Sequence, residues 1–278
     1  TLENLYNCHR PACGVEVIIV LNAPAEDNPV ALAQNHETLK VFPDWQKERN
    51  EPGFRFFLLD AGLLPRKNAG VGLARKIGMD EGVRRFNTLG QNDGALVSLD
   101  ADCTVDENYF LEVENFFQDK PKTQGCTIYF EHPLQGEKFG PNVYEAISKY
   151  ELHSRYFIQG SRYAGFPYAF HTVGSCFAVK ASAYTRQGGM NKRQGGEDFY
   201  FLHKVFPLGH FYELNTTRVM PSARPSERVP FGTGPAIKQY IDRGRNQFLS
   251  YHPSAFEDLR FFFRSVRYFF EHLGNLKT

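Results

Sequence analysis

The chain has 278 residues, 42% of them hydrophobic and 23% charged, with a net charge near +1. That length allows one large domain or two small ones. The near-neutral balance gives no electrostatic reason to expect nucleic acid as a partner. No apolar run is long enough to cross a bilayer, and the opening "TLENLYNCHRPAC" lacks a basic-then-apolar leader pattern. The five cysteines, at 8, 13, 103, 126 and 176, are odd in number and scattered. They fit a reducing, cytoplasmic setting better than a disulfide framework. "CHRPAC" places Cys8, His9 and Cys13 together, but no second pair with metal-ligand spacing accompanies them, so zinc is the weaker reading.

In chain order, "VEVIIVL" (15–21) is a strand pattern buried on both faces. "NAPAEDNP" then turns, and "VALAQNHETLKVF" (30–42) reads as helix. "FRFFLLD" (54–60) is a second strand, and "ARKIGMDEGVRRFNTL" (74–89) a second helix. "GALVSLD" (94–100) is a third strand, followed by a helix in "DENYFLEVENFF" (106–117), with Asp106 placed to cap it. This alternation predicts a parallel, doubly wound α/β sheet over the first 120 residues or so. Ligands bind beyond the carboxyl ends of such strands, where Asn22, Asp60, Asp100 and Asp102 all fall.

The second half is less regular. "NVYEAISKYELHSRYFI" (142–158) and "EDFYFLHKVF" (197–206) read as helices, and "GSCFAVK" (174–180) as a short strand. "MPSARPSERVPFGTGP" (220–235) reads as a long loop, with Arg224 and Arg228 available to an anion. "FEDLRFFFRSVRYFFEHL" (256–273) has helical spacing. Its aromatics read first as core and second as a peripheral contact with a membrane surface or a partner subunit.

Three constellations carry chemistry. In "LVSLDADCTVD", Asp100 and Asp102 point the same way if the extended conformation persists, and two carboxylates that close repel unless a cation joins them. The pair therefore reads as oxygen ligands for a divalent cation, against the plainer reading of a strand-end cap. In "NAGVGLARKIG", glycines 70 and 72 before Arg75 and Lys76 suit an anion at a helix start, or simply a tight turn. In "QGGMNKRQGGEDFYF", Gly195 and Gly196 let the backbone approach a ligand beside Glu197 and Asp198, or those acids merely favour a helix N-terminus.

In this order, "VEVIIVLNAP", "FLLDAG", "NAGVGLARKIGMDEG", "LVSLDADCTVD" and "VGSCFAVKASAYTRQGGMNKRQGGEDFYFLHKV" make the chain resemble the family 2 glycosyltransferases over roughly residues 15–206. It is also similar to the polypeptide N-acetylgalactosaminyltransferase catalytic domains. The resemblance implies an α/β GT-A fold: a mostly parallel mixed sheet flanked by helices, with a helical C-terminal extension. Residues 1–278 then form one transferase domain, with a nucleotide-binding half at 15–120, an acceptor and catalytic half at 121–215, and the loop and extension at 216–278. It implies a UDP- or GDP-sugar donor and inverting transfer to an acceptor hydroxyl on a glycan, a lipid-linked molecule or a protein.

By the same resemblance, Asn22 and Asp60 hold base and ribose, Arg75 helps bind the nucleotide, and Asp100 contacts ribose or metal. Asp102 ligates Mn²⁺ or Mg²⁺ on the diphosphate, Asp198 is the general base and Glu197 helps position the acceptor. The aromatic run 155–171 could line the acceptor site, and 220–235 could close over the donor. The chain departs from the pattern at Ala61 and Cys103, where relatives often have acids. No histidine stands in "TRVMPSARPS", and neither His203 nor His210 is a convincing substitute ligand. Two rivals accompany this reading. "VSLDADCTV" also resembles the first motif of haloacid-dehalogenase-like phosphatases, with Asp100 as nucleophile and Mg²⁺ as cofactor. The other is a GT-A domain that binds a nucleotide or glycan without turnover.

Overall fold

The structure, a computed structural model, describes residues 1–25, 29–67, 69–227, 229, 232–243 and 248–272. The described elements run α1 (Leu2–Tyr6), β1 (Val15–Pro24), α2 (Pro29–Arg49), β2 (Phe54–Leu64), α3 (Val71–Leu89), β3 (Ala95–Ser98), β4 (Thr104–Val105), α4 (Tyr109–Asp119), β5 (Gly125–Phe130), α5 (Pro141–Ala164), β6 (Phe177–Lys180), α6 (Ala181–Arg186), α7 (Glu197–Val205), β7 (Phe211–Met220), α8 (Thr233–Arg243) and α9 (Pro253–His272). They divide into two compact units. The first takes Thr1–Glu131 and Thr172–Ser222, the second His132–His171 and the residues from Ala223 onward.

The first unit is α/β, with mixed strand pairing and helices packed on it, as a GT-A fold requires. β1 and β2 pair in parallel as one two-stranded sheet. A second sheet has the order β3-β6-β5-β7-β4. Within it β5–β7 is parallel, while β3–β6, β5–β6 and β4–β7 are antiparallel. Among the described residues, parallel pairing is thus confined to β1–β2 and β5–β7. The expected continuous parallel sheet over the first 120 residues gives way at β3, whose partner β6 comes from much later in the chain. The core is aromatic and aliphatic, with Phe54, Phe56, Tyr109, Phe116, Ile128 and Val219 fully or nearly buried.

Several boundaries differ from expectation for local reasons. α2 runs through Pro43 to Arg49 rather than ending at 42. Tertiary contacts hold its last turns: the Trp45 ring lies edge-on to Phe56 at 4.8 Å, and Arg49 pairs with Glu3 at 3.0 Å. α3 begins at Val71, so Gly72 lies inside its first turn. Asn108, not Asp106, is the cap position of α4, and the Asp106 carboxylate takes a hydrogen bond from Arg218 at 3.1 Å. β5 and β7 have no counterpart among the predicted strands.

In the second unit, α5 packs with α8 and α9. Val143, Ala146, Ile147, Ala223, Ile237 and Tyr240 form its buried cluster. Glu151 on α5 is buried and accepts hydrogen bonds from the backbone N–H of His132 (2.8 Å) and from Arg155 Nη2 (2.7 Å). Its Oε2 also lies 2.8 Å from His132 Nδ1. These bonds outweigh burial, which alone would raise its pKa, and hold the carboxyl down at about 2. α9 corrects the core-helix expectation: Phe256 is its sole buried residue, and most of its other aromatics face outward. No helix among the described residues is long and apolar enough to cross a membrane.

Candidate active site

The strand that leads to the acids stops at Ser98, whose hydroxyl donates to the Gly174 carbonyl at 2.5 Å. Beyond it the chain turns, with Cys103 N–H donating to the Asp100 carbonyl at 3.1 Å. Asp100 and Asp102 therefore sit on a turn and not on one face of a persisting strand. The turn is required because the buried Cys103 and Val105 must face the core while β4 reverses to pair with β7. Asp102 is exposed and Asp100 half-buried.

One buried guanidinium organises the acids. Arg75, near the start of α3, donates through Nη2 to Asp100 Oδ1 at 2.5 Å and through Nη1 to Glu197 Oε1. Its side chain is 7% exposed and that of Glu197 3%. Two glycines make this approach feasible. A Cβ at Gly72 would run into the Arg193 carbonyl and lie 3.1 Å from Glu197 Cγ. A Cβ at Gly174 would lie 2.6 Å from Arg75 Nη2. Burial by itself would lower the Arg75 pKa, but Asp100, Glu197 and Asp198 outweigh it, so the group stays charged.

The second pair of acids opens α7. Gly196 precedes it with φ +67°, a left-handed conformation that glycine adopts without strain. Asn191 braces the approach: its Nδ2 donates to the Glu197 carbonyl at 3.2 Å and its Oδ1 accepts from Arg193 N–H at 3.1 Å. Gln194 Nε2 donates to the Arg66 carbonyl at 2.6 Å, tying this loop to the one before α3. Asp198 Oδ1 accepts the N–H of Phe199 at 2.7 Å. Burial raises its pKa and Asp100 adds to that, while Arg75 and the Phe199 N–H offset part. Burial likewise raises that of Glu197, with Arg75 offsetting part and Asp198 adding.

The fold therefore gathers Arg75, Asp100, Glu197 and Asp198 into one electrostatic group. Asn22 joins it at one remove, donating through Nδ2 to the Gly70 carbonyl at 3.2 Å where α3 begins. Asp60 lies within β2, not at its end. It is exposed, and its Oδ1 accepts from Gly62 N–H at 2.8 Å. There β2 carries an extra residue against β1, since Leu21 pairs with Asp60 but Ala23 with Leu63. The run 155–171 belongs to α5 and the loop after it in the second unit. Arg224 follows β7, and Arg228 lies outside the described residues. His203 packs its ring 4.3 Å from Phe199, and His210 Nδ1 meets the Tyr212 hydroxyl at 3.2 Å. Cys8 donates its thiol to the Asn4 and Asp106 carbonyls, and burial pushes its pKa up to about 11, which suits a structural thiol.

The positioning residues Ser98, Asn191, Gln194 and Gly174 were not singled out from the sequence. The one visible signal was a glycine in the run leading into β6, three residues before Phe177, because glycine there marks close backbone approach. For a divalent cation, no group of three or more His, Cys, Asp or Glu among the described residues is arranged as a cage. Two carboxylates on an exposed turn fit a hard cation that takes its remaining oxygens from a bound diphosphate and water. One Asp100 oxygen engages Arg75, and Asp102 is the more exposed of the two.

Acids from two distant stretches thus meet around one guanidinium just past the end of β3. A family model described as glycosyl transferase family group 2 matches residues 95–274, from the first residue of β3 to beyond α9. That is well over half of the chain, and the chain belongs to this family. Its reaction is the transfer of a sugar from a nucleotide-sugar donor to an acceptor. Asn22, Asp60 and Arg75 precede the matched span, so Arg75 joins the chain's first part to acids inside it. No curated protein matches the chain.

Proposed function

We propose that the enzyme moves a sugar from a UDP- or GDP-sugar to an acceptor hydroxyl with inversion, both units being parts of one transferase. The raised pKa of half-buried Asp198, held beside the Arg75–Asp100–Glu197 group, carries this reading. A carboxylate whose pKa is lifted toward working pH is a better proton acceptor than an ordinary aspartate. In the transfer the acceptor O–H proton passes to Asp198 and its oxygen bonds to the anomeric carbon. The bond from that carbon to the diphosphate oxygen breaks, and the nucleoside diphosphate leaves with the electron pair. Asn22 and Asp60 serve the base and ribose. Asp102, with Asp100, would hold Mn²⁺ or Mg²⁺, which when bound neutralises charge on the departing diphosphate. Glu197 acts through Arg75: it keeps the guanidinium in place against Asp100 and away from bulk water. The five free thiols, four of them buried, support a cytoplasmic site of action.

Calorimetric titration of UDP and GDP, with and without Mn²⁺, tests this on wild type and Asp102→Ala. Metal-dependent binding of one nucleotide, lost in the variant, is the expected result. No nucleotide binding, with Mg²⁺-dependent phosphate release from p-nitrophenyl phosphate, would transfer support to the phosphatase reading. Nucleotide binding without turnover of any UDP- or GDP-sugar would favour the non-catalytic one.

A further inference from the structure

We infer that α9 docks the second unit on the surface of an anionic lipid bilayer, lying in the plane of the interface. Only the inner edge of the helix is used within the unit. Phe256 is buried with its ring 5.6 Å from Tyr156 of α5, and the half-buried Phe263 ring lies 5.9 Å from Phe166. At 3.6 residues per turn, Leu259, Phe262, Val266, Phe269 and Phe270 share a second face. Phe262, Phe269 and Phe270 are 56%, 56% and 74% exposed.

Two features favour a bilayer over a second helix as the occupant. The exposed apolar surface is broader than a coiled-coil seam, because it continues off α9 onto the exposed Tyr251 and Phe157. Beside it Phe157, Tyr251, Ala255, Phe256 and Leu259 line an apolar depression of about 330 Å³. A protein partner must match such a contour, whereas lipid chains adapt to it. Charge is the second feature. Along its middle, between Leu259 and Phe270, the helix carries Arg260, Arg264 and Arg267, and its acids Glu257, Asp258 and Glu271 stand outside that stretch toward the two ends. Arg260 lies over the Tyr163 ring at 4.5 Å, Arg267 pairs with Glu271 at 2.8 Å, and Arg264 is exposed. Aromatics on one face and arginines along another are what an interfacial helix presents to acyl chains and headgroup phosphates.

The test is co-sedimentation of the full chain with vesicles of phosphatidylcholine alone or mixed with phosphatidylglycerol. Wild type is compared with Phe262→Ser/Phe269→Ser/Phe270→Ser and with Arg264→Glu, after circular dichroism confirms that each is folded. Wild type should pellet with the anionic vesicles, less so with added salt. The triple variant should bind about tenfold more weakly or worse, and Arg264→Glu should lose part of the anionic preference. Failure of wild type to pellet, or undiminished pelleting of the triple variant, overturns the inference. So does a stable dimer in light scattering that the triple variant dissolves, since the occupant is then a second copy. None of these outcomes depends on the nucleotide, metal or base assignments.

Discussion

Replacing Arg75 by Met removes the one positive charge that joins three acids. Glu197, 3% exposed, is left buried without a counter-charge, a situation that costs about 3–5 kcal/mol. Asp100, 39% exposed at its side chain, can rehydrate and adds about 1 kcal/mol or less. The single variant should therefore lose about 4 kcal/mol. Glu197→Gln alone leaves Arg75 its bond to Asp100 and should lose about 1–3 kcal/mol. Combining the two removes both the stranded charge and its cause. The double variant should be more stable than Arg75→Met, with a coupling energy of about 2–3 kcal/mol. Urea unfolding followed by the fluorescence of Trp45, the sole tryptophan, reports on the first unit, where its ring packs edge-on to Phe56. Additive losses would refute the buried bridge as the organiser of these acids.

Asp198→Asn should cut transfer by about 10²–10⁴-fold yet raise thermal stability at neutral pH. The folded-state pKa of Asp198 is raised by burial, so its charge costs stability once pH exceeds the unfolded value. Melting at pH 7 and near pH ~4 should show that advantage shrinking as pH falls; a lower melting point at pH 7 would contradict it. Glu151 has the opposite sign. Its pKa is depressed from 4.5 to about 2, so it contributes stability above the unfolded value that is lost as pH falls through the folded one. That contribution is about 3 kcal/mol, and Glu151→Gln should flatten the acid limb of a circular-dichroism stability profile. Parallel slopes for variant and wild type would exclude it.

The acid-bearing stretches were legible because each is a local device: an apolar strand giving out at "SLD", and a glycine pair before "ED". What links them was not, because Arg75 and Glu197 are far apart in sequence and meet only when α3 and α7 are in place. The expected alignment of Asp100 with Asp102 failed because periodicity cannot say where a strand stops. Here burial of Cys103 and the return into β4 decide it. β7 escaped notice because "FYELNTTRVM" alternates small polar residues with apolar ones in a weak pattern, and pairing with β5 on one side and β4 on the other supplies what the pattern lacks. α2 ran past Pro43 for a related reason: contacts made by Trp45 and Arg49 with distant residues outweigh the local break.

The two units are interleaved along the chain, and that sets a timetable for synthesis. The first unit cannot complete its second sheet until β7 has emerged, although β5, the neighbour it needs, was made long before. In that interval α5 is already on hand with Val143, Ala146 and Ile147 uncovered, because α8 and α9 have yet to be translated. A ribosome-bound chain therefore carries two half-built cores at once, one waiting for a strand and the other for two helices. No single cut releases either unit whole. Excising the second unit as an independent module requires joining residue 171 to residue 223 across a deletion of 172–222, in addition to removing everything before residue 132.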